Sequence, residues 1–478
     1  MAIKVQINGQ YTKFSGNMKA LAQLDKKLKF RHPGAFFIRK KMGRQWDGMI
    51  HPLTKADRIK TGLLEKSVEI LSEFEEDFEV QDFRKHPQIK PPPDKINGLT
   101  LRPYQKESIE TFLNNSVLDC PHRRGLGIMA VNSGKSLIYM GIHLSVVDAK
   151  TLLIVDNTPL YTQLVKDFSE VFPDTYGYMK GGDVKWGDIM VVMSKTLVNR
   201  LDVFKKELSS FNVMLVDEAD LGSSNTHQTI YAGLSGISIR LGLTGTAFMR
   251  NLAKDKLRNN TMLEEFGEPL YEISMKELED LGVSSKTVIK ILNGTSPPMD
   301  IKKWKSQKPS FIDEFNEVIS YNPKRHELIL NRVLYNLRCG RDKIMVFNKF
   351  KDQTEILYEY IRKRLPKKYK IAFTHSGIKG DALERFRDGD VNVLISSLYL
   401  KRGLNIPKIK TLINNSVGEF PSNPLQILGR GTRKHSSKDR VYFEDFQDEG
   451  KFLASHSRRR ISYYKDRGLE IRDLRVKK

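Results

Sequence analysis

The sequence predicts an α/β protein with two parallel-sheet domains in tandem, preceded by a small α+β domain. Three observations carry this. From Leu101 onward, short apolar runs alternate with amphipathic stretches, the pattern of parallel strands joined by right-handed helical crossovers. That rhythm lapses from about Asp255 to Ser320 and starts again near Lys343. Ahead of both series lies a segment of different composition, closed by Pro91-Pro92-Pro93, a stiff run that continues neither a helix nor an inner strand. The boundaries this gives are 1–93 for the small basic domain, 94–255 for the first parallel-sheet domain, 256–320 for a connecting segment and 321–478 for the second domain with its tail.

In chain order, Ile3 to Ile7 alternates with period two and stops at Asn8-Gly9, the signature of a strand and tight turn. Met18 to Leu28 carries Leu21, Leu24 and Leu28 at helical spacing. Phe36–Lys40 and Trp46–Leu53 read as strands, and Leu63–Phe74 as a helix. Continuous apolar runs, expected of parallel strands covered on both faces, fall at Gly127–Val131, Thr151–Val155, Ile189–Met193, Val213–Val216 and Leu241–Leu243. A second set falls at Lys343–Phe347, Tyr369–Phe373, Val391–Ile395, Thr411–Asn414 and Arg440–Phe443.

Charge narrows the partners. The 478 residues carry 80 Lys and Arg against 57 Asp and Glu, a formal charge of +23, which favours a polyanion. It is unevenly spread: residues 1–60 hold 14 basic and three acidic side chains, and residues 451–478 hold ten and three. Hydrophobic residues make up 39%, too many for a disordered chain. Cys120 and Cys339 have neither metal-ligand spacing nor a disulfide framework. No apolar run approaches the length of a membrane helix, and the first residues lack the apolar core of a secretory signal. The expectation is a soluble protein of a reducing cytoplasm, with no membrane partner.

Chemistry concentrates in a few short runs. Asn132-Ser133-Gly134-Lys135-Ser136 sits between a strand and an apolar helix, the context of a phosphate-binding loop. Lys135 can reach β/γ-phosphates and Ser136 can ligate Mg²⁺. Asp217-Glu218-Ala219-Asp220 follows an apolar strand, at the end where α/β sheets bind ligands. There Asp217 can hold Mg²⁺, and Glu218 can orient and deprotonate a water; carboxylates in that position also serve as plain helix caps. In Gln426-Ile427-Leu428-Gly429-Arg430-Gly431-Thr432-Arg433, Arg430 and Arg433 share a helix face, fitted to an anion as arginine fingers or lying on a solvated face. Gln105 offers the donor and acceptor that read an adenine edge, or is simply solvated.

The ordered set of Gln105, Lys135, Asp217–Asp220, Thr244-Gly245-Thr246, Gly403 and Gln426 to Arg433 resembles the superfamily 2 helicase core over about residues 96–450. That resemblance implies two RecA-like domains using ATP and Mg²⁺. Arg102, Gln105, Asn132, Ser133, Gly134, Lys135, Ser136, Gly403 and Asn405 would bind the nucleotide, with Ser136 and Asp217 on the metal. Lys135, Asp217, Glu218, Gln426, Arg430 and Arg433 would form the catalytic set. It also assigns Asp156–Gln163 and Met193–Thr196, with Thr158, Gln163 and Thr196, to strand contacts in the first domain. Asn348, Ser376 and Ser397 belong to the second domain's surfaces, and Thr244–Thr246 to coupling of hydrolysis with movement. The sequence departs from the usual pattern with Met129 and Asn132 in the phosphate loop and Asn405 in place of an acid. Nearer still, the loop's Ser-Gly-Lys-Ser ending and Trp46-Asp47-Gly48-Met49-Ile50 resemble the UvsW-type phage recombination helicases. Membership there implies unwinding and branch migration of forks, D-loops and four-way junctions, in a bacterial host cytoplasm.

The expected function is therefore an ATP-dependent DNA helicase or translocase acting on branched DNA as a monomer. The alternatives are a duplex translocase or an annealing and remodelling protein that leaves strands paired. In the basic N-terminal domain, Lys40, Lys41 and Arg44 are candidates for phosphate contacts. Phe36, Phe37 and Trp46 can stack on bases or form the small domain's core. Arg458, Arg459 and Arg460 can touch DNA or form a solvated end.

Overall fold

The computed structural model describes the chain except residues 1, 43–45, 75–76, 246–252, 379, 398–407, 417, 419–427, 430, 433–434, 436–437 and 477–478, together with the side chains of 39–42 and 253–255. Its contacts divide it into two compact units, Met1–Met129 with Gly134–Ile273, and Ala130–Ser133 with Ser274–Lys478.

The first unit begins with a four-stranded sheet in the order Arg58–Lys60, Tyr11–Ser15, Ile3–Ile7, Phe78–Asp82. The inward residues Ile3, Val5 and Ile7 meet Leu21, Leu24 and Leu28 of the helix Met18–Leu28, whose N-terminus Asn17 caps. Two readings of this region change. Phe36–Lys40 is not a strand but part of the helix Ala35–Met42. Trp46–Leu53 contributes only the two-residue strand Met49–Ile50, paired with Phe30–Arg31. Aromatic residues favour strands only where a pleated, half-buried surface awaits them, and Phe36 and Phe37 are 73% and 72% exposed.

The small sheet is tied to the large one of the same unit. Arg124, on the last strand but one of the large sheet, donates to the Gly9 carbonyl, and Lys60 Nζ donates to Gln228 Oε1 at 2.7 Å. The large sheet runs Asp183–Lys185, Tyr176–Lys180, Ile189–Met193, Thr151–Val155, Val213–Asp217, Ile239–Thr244, Arg124–Met129, Pro269–Ile273. All neighbours are parallel except the terminal hairpin. Its inner strands are buried throughout, so continuous apolar runs mark them.

The second unit holds a wholly parallel seven-stranded sheet: Ile371–Thr374, Val393–Ser397, Ile344–Asn348, Thr411–Asn414, Arg440–Gln447, Lys286–Asn293, Glu470–Asp473. The segment 256–320 does more than connect. It supplies Pro269–Ile273 to the first sheet and Lys286–Asn293 to the second. The basic tail is also more than a solvated end: the helix Leu453–Asp466 buries Arg460, which pairs with Asp445 at 2.8 Å.

Buried histidines give the first unit a pH dependence. His143 sits in the last turn of the helix that follows the phosphate loop, its Nδ1 2.9 Å from Thr151 Oγ1 and its ring edge-on to Phe172. Burial pulls its pKa down to about 4. A histidine held neutral stabilises fully above its unfolded value near 6.5, and that contribution is lost as pH falls from there towards 4. His122, pushed the same way by burial, adds to it. The wild type should therefore lose thermal stability between pH 6.5 and 4.5 more steeply than His143→Asn. Parallel melting curves for the two would refute this.

Candidate nucleotide and strand-contact sites

The phosphate loop leaves the first unit's strand Arg124–Met129 and ends at that unit's helix Lys135–Ser145. The two departures in this loop have local causes. Met129 is the fully buried last residue of the strand and fills core. Asn132 stands at φ +75°, a left-handed conformation that asparagine tolerates better than most residues. Gly134 also has positive φ, at +78°, and a Cβ there would run into the Gln105 amide. Gln105 is wholly buried, which excludes a solvated turn residue. Its Oε1 accepts from the Arg102 N–H at 2.9 Å, while the Gln105 N–H donates to the Arg102 carbonyl at 2.9 Å, which closes the start of the helix Pro103–Asn114.

Lys135 opens the helix, and its Nζ lies 3.4 Å from Asp217 Oδ1. Asp217 ends the strand Val213–Asp217, nearly buried, and accepts from the Tyr139 hydroxyl at 2.7 Å. Burial and the Asp217 charge push the Tyr139 hydroxyl well above its usual pKa, so it stays a donor. Tyr139, one turn beyond Lys135, was not singled out in the sequence; its i+4 spacing was the available signal. Glu218 turns left-handed at φ +52° immediately beyond the strand. The set fits magnesium and a polyphosphate. Ser136, in the helix's first turn, and Asp217 are hard oxygen donors. The helix start and Lys135 suit an anion, and the cradle at Gly134 admits no side chain.

Asp220 holds a second joint. Thr244 Oγ1 donates to its Oδ1 at 3.1 Å, and Arg258 Nη2 to its Oδ2 at 2.6 Å. Thr244 thus meets the acidic run directly. Thr246 lies outside the described residues. Arg258, in the segment that looked merely connective, was missed.

The strand-contact candidates sit on one edge of the first sheet. Val155 and Met193 are register partners ending neighbouring parallel strands. Just beyond them, Thr158 opens the helix Thr158–Val171, with Gln163 exposed farther along it. Thr196 accepts from the Gly181 N–H at 2.9 Å.

In the second unit Ser376 is exposed and Ser397 is buried at the end of its strand. Asn348 is fully buried, its Oδ1 accepting from Asn415 Nδ2 at 2.8 Å. It holds the loop at 415 and does not present its amide to a surface. Gly403, Asn405, Gln426, Arg430 and Arg433 lie outside the described residues. The intervening Thr432 carbonyl accepts from the Ser285 N–H at 2.7 Å. Lys438 clamps the Ile409 and Gly431 carbonyls, and burial pulls its pKa down to about 8.

In the small domain Trp46 donates to the Met49 carbonyl at 3.2 Å and meets His32 edge-on, so it belongs to the local packing. Arg44 and the side chains of Lys40 and Lys41 lie outside the described residues. No helix among the described residues is long and apolar enough to cross a membrane.

Comparison with known proteins agrees with this layout. Residues 98–249 match the Type III restriction enzyme res subunit family, and residues 327–435 match the helicase conserved C-terminal domain. A putative ATP-dependent helicase, IRC3, of Saccharomyces cerevisiae is 23% identical over 72% of this chain and 51% of its own length. The ATP-dependent DNA helicase uvsW of Enterobacteria phage T4 is 22% identical over 70% of this chain and 66% of its own. The chain therefore spans between half and two-thirds of these relatives. Among solved structures, a fragment of a putative HsdR subunit of a type I restriction enzyme from Vibrio vulnificus shares the fold. Its TM-score is 0.55 at 17% identity, over 78% of this chain and 68% of that one. A variant of Saccharomyces cerevisiae Dbp5 bound to RNA and ADP BeF3 gives 0.50 at 14%, over 78% and 89%. With both motor-domain families matched in tandem and the phosphate loop and acidic run on the first sheet, the chain belongs to the superfamily 2 helicases and resembles the UvsW type among them.

Proposed function

We propose that the chain is an ATP-dependent DNA helicase or translocase that unwinds or branch-migrates forked and junction DNA. Its setting would be recombination, repair or replication-fork processing in a bacterial host cytoplasm. The observation that carries the reading is the pairing of Lys135 with Asp217 at 3.4 Å, with Glu218 next in the chain in a left-handed turn at the strand's C-terminal end, where α/β sheets bind ligands.

In this reading Lys135 balances phosphate charge, Ser136 and Asp217 hold Mg²⁺, and Glu218 takes a proton from the attacking water. When bound, Mg²⁺–ATP supplies the phosphoryl group whose transfer powers movement. Arg430 and Arg433 act as the second domain's fingers. Hydrolysis alters each domain's grip on the backbone, held through Thr158, Gln163, Thr196 and Ser376. Separating a base-pair step costs on the order of 1–2 kcal/mol, a modest demand on one hydrolysis. The exposed Phe36 and Phe37, edge-to-face at 5.5 Å in a segment of strong positive charge, favour a role in stacking on unpaired bases at a branch.

The test is ATP-dependent strand separation on fluorescent forks, four-way junctions and tailed duplexes, with DNA and RNA loading strands. Hydrolysis should rise with DNA, and forks and junctions should open faster than tailed duplexes. Hydrolysis that is absent or indifferent to DNA would refute the reading. Stimulated hydrolysis without strand separation would favour a duplex translocase.

A further inference from the structure

Asp156 presents a puzzle of charge. It leads one of the two loops proposed to grip a DNA strand, where a carboxylate facing outward would repel phosphates. Its side chain is only 18% exposed, and each oxygen has a close polar neighbour within the unit. Ser194 Oγ, at the head of the other loop, donates to Oδ1 at 2.5 Å. His227 Nε2 lies 3.2 Å from Oδ2, at ion-pair distance though outside hydrogen-bond geometry.

His227 is itself almost wholly buried, on the helix Asn225–Gly233 that follows the acidic run. Its Nδ1 lies 2.8 Å from Ser224 Oγ, the cap of that helix. The next residue, Gln228, donates to the Gly222 carbonyl at 2.8 Å, two residues beyond Asp220. The same Gln228 accepts from Lys60 of the small sheet. One short helix therefore touches the loop leaving the acidic run, the carboxylate joining both strand-contact loops, and the N-terminal domain.

We propose that His227 is a positioning residue for DNA: by bracing Asp156, and through it Ser194, it fixes the spacing of the loops that carry Thr158 and Thr196. The inference rests on the DNA-motor reading above. His227 touches neither Lys135, Asp217 nor Glu218 in any contact described, so its loss acts on DNA engagement and leaves the DNA-free hydrolytic rate in place.

The experiment measures ATP hydrolysis by the full chain against single-stranded DNA concentration for wild type, His227→Ala and His227→Gln. Glutamine places an N–H near the position of Nε2 and should restore the brace. For His227→Ala the DNA concentration giving half-maximal stimulation should rise roughly five- to tenfold, within the range seen for coupling residues that touch no ligand. The maximal stimulated rate and the DNA-free rate should stay within about twofold, the pattern of a residue removed from DNA engagement alone. His227→Gln should lie close to wild type. Should alanine fail to fold, the glutamine variant still decides, because it must bind like wild type. A half-maximal concentration unchanged in alanine, or shifted equally in both variants, would overturn the proposal while leaving the motor reading intact. A wild type that DNA does not stimulate would overturn both.

Discussion

Lys135→Ala should reduce DNA-stimulated ATP hydrolysis by at least about a hundredfold, the scale on which loss of one preorganised charge donor acts. The argument starts from the helix end. Backbone N–H groups at the start of Lys135–Ser145 offer partial positive charge, but a polyphosphate needs a full cation close by. In this conformation the Lys135 ammonium rests 3.4 Å from Asp217, already aimed at the sheet edge. Its removal takes away charge balance at the transferring phosphoryl group and leaves the carboxylate with the Tyr139 hydroxyl. Fold stability should change little, because Asp217 keeps that donor. The measurement is steady-state phosphate release with and without forked DNA, beside a melting curve. Glu218→Gln should lose hydrolysis comparably but by a different route, since glutamine can position a water and cannot take its proton. Substantial turnover by Lys135→Ala in an intact fold would remove the phosphate-loop assignment.

The parts of this chain legible in sequence are those whose cause is local. Thr151–Val155, Ile189–Met193 and Thr411–Asn414 lie where their apolar runs place them, because burial on both faces leaves no polar alternation to misread. Gly134-Lys135-Ser136 is legible for the same reason: one loop and one helix start contain its chemistry. Lys286–Asn293 was hidden because Lys290 interrupts the run, and that charge is tolerated inside by Glu444 at 3.9 Å and the Tyr442 face. Pairings across long separations left no trace. Nothing in the sequence couples Asp156 to His227, or Arg258 to Asp220, since the fold alone brings those residues together. Phe36 and Phe37 show the limit of residue preference, for aromatic character suggested a strand where an exposed helix forms.

Asp445→Ala should destabilise the second unit by about 3–5 kcal/mol, the usual result of stranding a buried charge. Asp445 lies on the long strand Arg440–Gln447 and is 1% exposed. Its carboxylate accepts from Arg460 Nε at 2.8 Å and Nη2 at 3.0 Å, Tyr464 hydroxyl at 2.7 Å, Asn414 Nδ2 at 3.0 Å and the Phe446 N–H at 2.8 Å. Burial works against the Arg460 charge, but Asp445 outweighs it and raises that pKa above its ordinary value. The carboxylate therefore pins the C-terminal helix to the sheet through two of its turns and also reaches the neighbouring strand. Without it Arg460 keeps the Gly418 and Phe446 carbonyls as acceptors and loses its counter-charge. For a unit of this size the melting midpoint should fall roughly 6–20 °C. Combining Asp445→Ala with Arg460→Met should cost less than the two single losses summed, because a buried charge is costliest when its partner alone is removed. Calorimetry of the full chain reads both effects. A midpoint within about 2 °C of wild type in Asp445→Ala, below the shift expected for 1 kcal/mol, would mean that water reaches Arg460 and that the tail is held elsewhere.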